Sequence, residues 1–130
     1  MPVGQLNHFT IRCRPQELAE LRAFYVDALG LVEGARPAFR FPGHWLYSEG
    51  RPIVHLAARL DRRPAAETGP LDHIAFSSHG LDEMRQRLKQ MRIPFDEVPV
   101  PGFPLHQFFF SDPQGLKIEL TFQVPESAPT

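Results

Sequence analysis

The chain repeats itself, and the repeat constrains the fold more than any other feature. The stretch LNHFTI around His8 returns as LDHIAF around His73, and WLYSEGRPIVHL, which carries His55, returns as FFFSDPQGLKIEL, which carries Glu119. A duplicated unit too small to cover its own sheet is expected to pair with its copy about an approximate twofold axis. Such an axis carries His8 onto His73 and His55 onto Glu119.

The alternation within each copy gives the elements. Residues 5–13 set Phe9, Ile11 and Cys13 against His8, Thr10 and Arg12, a strand with one apolar and one polar face. Pro15 opens a helix with Leu18, Leu21, Tyr25 and Leu29 on one stripe, and Gly30 stops it. Extended pieces are expected near 37–41, 44–48 and 51–59, with Glu49-Gly50 as a hairpin turn between the last two. Residues 60–70 read as a connector, and then the order restarts. A strand at 71–77 precedes a helix at about 81–92 with Leu81, Met84, Leu88 and Met91 inside. Extended pieces near 95–99 and 106–111 follow, then a turn at Asp112-Pro113-Gln114-Gly115 and a last strand at 116–123. Residues 125–130 read as a tail.

The predicted fold class is therefore α+β. Two tandem βαβββ modules, about 4–60 and 70–124, form a single domain over 1–130: a curved, cup-like mixed sheet with helices outside. At 130 residues the chain has one domain's length. A net charge of −1 gives no reason to expect nucleic acid or membrane as a partner. Cys13 is the only cysteine, so no internal disulfide forms and a reducing, cytoplasmic setting is expected. Open sheet edges favour a homodimer.

His8, His73, His55 and Glu119 all fall on the strand face opposite the apolar row. Two imidazoles and a carboxylate with open positions beside them suit a divalent metal. Fe(II) is favoured, with Mn, Ni, Zn and Co as alternatives. His55 is either a fourth metal ligand or a catalytic acid/base, and the spacing does not choose. Arg12, on the face of His8, could meet an anionic substrate group or serve as a solvated charge at the strand's end. His106 and Phe109 are candidate substrate-facing residues on the strand beside Glu119. His44 and His79 have no counterpart in the repeat. Cys13 lies on the apolar row with no base beside it, which argues against a nucleophilic thiol.

The chain resembles the vicinal oxygen chelate superfamily, which includes glyoxalase I, extradiol dioxygenases, fosfomycin-resistance enzymes and bleomycin-binding proteins. The resemblance runs from LNHFTIR through FYVDALGL to FFFSDPQGLKIEL. It implies that His8, His73 and Glu119 are metal ligands. It also implies a small-molecule substrate held through neighbouring oxygens. His55 stands where glyoxalase I places a carboxylate or amide ligand and where ring-cleaving dioxygenases place a catalytic histidine. Phe109 stands where those dioxygenases commonly carry a tyrosine. Arg12 is similar to the arginine by which glyoxalase I holds the carboxylate of its thiol cofactor. The implied function is a metal-dependent enzyme that leans toward an extradiol dioxygenase, with a glyoxalase I-like isomerase or lyase as the alternative. A metal-free drug- or metabolite-binding resistance protein is a third possibility, against which the ligand set argues.

Overall fold

The computed structural model describes residues 2–62 and 68–125. Most of the expected tail, and the middle of the connector at 63–67, lie outside the described residues. Two compact units divide at the connector, Met1–Pro64 and Ala65–Thr130.

In the first unit, β1 (Phe9–Arg12) leads into a single 3₁₀ turn (Pro15–Glu17) and then α1 (Leu18–Ala23). Pro15 sits where its missing N–H is not needed, and the Glu17 carboxylate accepts from the Arg14 backbone N–H at 2.9 Å. Instead of continuing regularly to Leu29, the helix widens into a π-helical stretch (Phe24–Ala28). The wider turn brings Phe24, Tyr25 and Ala28 inward together, all three buried. Three strands follow: β2 (Val32–Gly34), β3 (Gly43–Ser48) and β4 (Arg51–Ala57). The expected Glu49-Gly50 hairpin turn is present, with both residues at positive φ (51° and 76°) as a two-residue turn requires.

One expectation fails in this unit. The alternation over 37–41 does not make a strand; the second strand lies earlier, directly after the helix. Pro37 and Pro42 bracket the segment and cannot donate to a ladder. Its aromatic rings pack on Arg36 instead, with the guanidinium carbon 5.0 Å from the Phe39 ring and 5.1 Å from that of Phe41.

The second unit repeats the plan. β5 (Ile74–Ser77) precedes α2 (Leu81–Gln90), then β6 (Asp96–Pro99), β7 (Leu105–Ser111) and β8 (Lys117–Gln123). Leu88 is fully buried on α2, whereas Met91, expected inside, falls just past the helix end and is 38% exposed. The turn before β8 is fastened by Asp112, whose Oδ1 accepts from the N–H groups of Gln114 (2.8 Å) and Leu116 (2.9 Å).

Both sheets have four strands in the same order, β1-β4-β3-β2 and β5-β8-β7-β6. In each, the outer pair β1/β4 or β5/β8 is parallel and the rest antiparallel. The fold is thus α+β with tandem βαβββ modules. Val54 opposes Leu46 on one sheet, and Leu120 opposes Phe108 on the other, forming apolar rows. Helix α1 packs on β4, and Arg85 of α2 lies over the Phe108 ring, so the helices cover these rows. His55 and Glu119 project from the opposite faces.

Candidate functional site

His8 and His73 stand immediately before β1 and β5, one step outside the hydrogen-bonded ladder. Each ring is fixed by the residue before it. His8 Nδ1 donates to Asn7 Oδ1 at 2.7 Å, and His73 Nδ1 to Asp72 Oδ2 at 2.7 Å. A proton held on Nδ1 leaves Nε2 as the nitrogen that can give a lone pair. Asp72 is held below the ordinary carboxylate range by this bond and by Lys117, 3.6 Å away. The repeat therefore duplicates both the imidazole and the group that sets its tautomer.

Glu119 is 8% exposed on β8. Its Oε2 accepts from Gln107 Nε2 at 3.2 Å and from the Thr121 hydroxyl. Both donors come from the same sheet face, since Gln107 and Thr121 are register partners. With Oε2 occupied, Oε1 is directed at His73 Nε2, 3.1 Å away. Phe109, the register partner of Glu119, sets its ring edge-to-face with His73 at a centroid distance of 6.1 Å.

His55 is buried at 9% exposure in a stack of three rings. His8 lies 3.8 Å from it on one side and Trp45 4.0 Å on the other, each inclined by 13°. Its Nε2 donates to the carbonyl of Pro52 at 3.0 Å, so Nδ1 is the nitrogen left to accept. Burial, with the neighbouring His8, pushes the ring below its ordinary pKa, against the opposing effect of the Pro52 bond.

The remaining candidates divide. Arg12 is exposed on the sheet face that carries His55, and it pairs in register with Ala57. His106 lies on the other face of β7, its Nε2 3.1 Å from Glu97 and its ring edge-on to Phe108. The structure does not bring it to Glu119. In the sequence alone Asn7, Asp72 and Gln107 carry no assigned role, and Trp45 suggests only aromatic surface, mostly core. The signal for the first two was visible, because LNH and LDH place an Asn or Asp before each histidine. Trp45 and Gln107 become evident only through strand register.

A family model for the Glyoxalase/Bleomycin resistance protein/Dioxygenase superfamily matches residues 5–120. The chain belongs to this superfamily. It is 32% identical over 121 residues to "Glyoxylase I 4" of Arabidopsis thaliana, covering 88% of this chain and 68% of that protein. Its fold is similar to a putative glyoxalase family protein of Bacillus anthracis, with a TM-score of 0.75, 24% identity and coverage of 93% of this chain and 96% of that one. It is also similar to a variant of the fosfomycin resistance protein FosX of Listeria monocytogenes, solved with Mn(II) and 1S,2S-dihydroxypropylphosphonic acid. There the TM-score is 0.68 at 19% identity, over 91% of each chain.

The superfamily implies a divalent metal, and the donor chemistry fits one. Two ligands about 2.1 Å from a metal and at right angles to it stand about 3 Å apart. His73 Nε2 and Glu119 Oε1 meet that spacing at 3.1 Å, each with its other polar atom already anchored. His8, with its Nδ1 likewise held by the residue before it, has Nε2 to offer. His55 fits less well as a ligand, because its Nε2 is engaged by the Pro52 carbonyl. Among the described residues, no group of three or more His, Cys, Asp or Glu side chains is gathered to hold a metal; the four candidates stand as a pair in each module.

Proposed function

We propose that this chain is a divalent-metal-dependent enzyme acting on a small molecule with two neighbouring oxygens. In this reading His8, His73 and Glu119 are the metal ligands and His55 is the acid/base. The observation that carries it is the pairing of His73 Nε2 with Glu119 Oε1 at 3.1 Å, with both groups anchored from behind by Asp72, Gln107 and Thr121. His8 completes the set, from the same chain or from a second copy in a homodimer. A bound cation supplies charge stabilisation to the chelated substrate oxygens, and two histidines with one carboxylate favour Fe(II).

The protein's own groups supply the rest. His55 Nδ1 takes a proton from the substrate, since Nε2 stays on Pro52 and keeps the ring in place. Trp45 covers one face of that ring and excludes water from it. Phe109, beside His73, offers apolar surface to the substrate. An imidazole at position 55, rather than a carboxylate, favours extradiol cleavage of a catecholic ring, in which His55 accepts the hydroxyl proton and dioxygen is the second substrate.

A glyoxalase-type lyase or isomerase reaction is the second reading, favoured by the 32% identical plant protein. Anaerobic loading with Fe(II), followed by oxygen-uptake assays on a catechol panel and a hemithioacetal assay, separates the two. Oxygen consumption coupled to a ring-cleaved product supports the first reading. Turnover of hemithioacetal without oxygen uptake replaces it with the second.

A further inference from the structure

The segment between β2 and β3 builds something that the proton transfer does not use. Arg36 lies over Gly43, where a Cβ would stand 2.9 Å from Arg36 Nη2 and 2.2 Å from the Leu56 carbonyl oxygen, so only glycine leaves room. Gly43 shares a sheet face with Trp45, two residues along β3, and Trp45 opposes His55. Two residues of strand span about 7 Å. Arg36 is therefore seated on the candidate catalytic face of this module, a short distance from His55.

Its surroundings are aromatic. Phe39 and Phe41 stack at 5.2 Å, Phe39 reaches Trp45 at 6.3 Å, and Trp45 lies on His55 at 4.0 Å. A second guanidinium, that of Arg59, lies 4.7 Å from the Phe41 ring centre. Among the described residues, neither Arg36 nor Arg59 has a carboxylate partner. Among the described residues the Arg36 side chain donates only to the Phe41 carbonyl, through Nη2 at 2.9 Å, and its buried Nε meets no acceptor. Three other arginines, by contrast, are paired with carboxylates: Arg14 with Glu17, Arg22 with Glu33, Arg85 with Glu97. Two cations gathered on one ring without an anion are electrostatically incomplete. Phe39, beside them, is 45% exposed.

We infer that Arg36 and Arg59, with Phe39 and Trp45, form a subsite for a substrate that is a planar aromatic acid. The ring lies along Phe39 and Trp45, and its oxyanion takes the free donors of the two guanidiniums. This deepens the proposed function, because it rests on substrate occupying the His55 face; it does not depend on the metal.

Trp45 is the only tryptophan, so its emission reports binding directly. Benzoate is the probe, and benzamide, of the same shape but uncharged, is its control. Each is titrated into chelator-treated and Fe(II)-loaded protein. Benzoate is expected to change the emission saturably in both, with an affinity that falls as salt is raised, and benzamide to bind at least about tenfold more weakly. Arg36→Gln should weaken benzoate about tenfold or more, and Arg36→Lys, which keeps the charge without the fork, by less. Arg59→Gln alters an exposed side chain and serves as the second variant if Arg36→Gln disturbs the loop, as judged by circular dichroism. Equal binding of benzoate and benzamide, no saturable response, or unchanged benzoate affinity in both glutamine variants would overturn the subsite. Loss of metal uptake with a normal benzoate response would sink the functional reading alone.

Discussion

Asn7 and Asp72 occupy matched positions and do the same work, but only Asp72 adds a negative charge to its histidine. Orienting groups of this kind are commonly worth 10–100-fold in metal affinity, so Asp72→Ala should weaken metal binding by roughly that factor. Competition titration against a fluorescent chelator measures it, and Asp72→Asn should lose less. His55 separates a ligand from an acid/base. His55→Gln is expected to retain its metal while kcat falls about 10²–10⁴-fold, the usual range for a lost proton-transfer group. Loss of metal from that variant would make His55 a ligand instead. His8, His55, His73 and Glu119 were legible in the sequence as candidates because the repeat matches them, whereas His106, which no repeat position supports, lies on the other face. Which nitrogen of His55 is free depends on the Pro52 carbonyl, and which oxygen of Glu119 is free depends on Gln107, twelve residues away.

At the scale of elements, period-two alternation located seven of the strands and failed at 37–41. Alternating Phe39 and Phe41 look like a strand face, yet flanking prolines and a nearby guanidinium give those rings a better partner than a ladder. The Asp112 turn was legible, and it carries a stability prediction. Asp112→Ala leaves two backbone N–H groups without their acceptor, a loss of about 2 kcal/mol that denaturant melts should show. The join between α2 and β6 has a pH signature. Arg85, hydrogen-bonded to the Glu97 carboxylate, holds Glu97 below the ordinary glutamate range, with His106 adding to the effect. Stability from this pair is therefore present above the ordinary value, near 4.3, and is lost as pH falls through the lowered one. Wild type should exceed Glu97→Gln by no more than about 1 kcal/mol near neutrality, with the difference gone in acid.

For the whole molecule, the duplication predicted tandem βαβββ modules, and the two sheets with identical strand order are what it produces. Among the described residues no helix is long and apolar enough to cross a membrane. Superfamily membership follows from the match over residues 5–120, whereas the metal and the reaction are proposals, supported by the pairing of His73 with Glu119. If the ligands act together, binding must stabilise the folded chain by mass action, so Fe(II) should raise Tm and a chelator should reverse the rise. The most direct measurement is elemental analysis of purified wild type beside His8→Ala, His73→Ala and Glu119→Gln, each reconstituted anaerobically with Fe(II). Stoichiometric metal in the wild type and its loss from all three folded variants is the predicted result. Full occupancy in any folded variant, or none in the wild type, would contradict a single centre assembled from the two halves of the repeat.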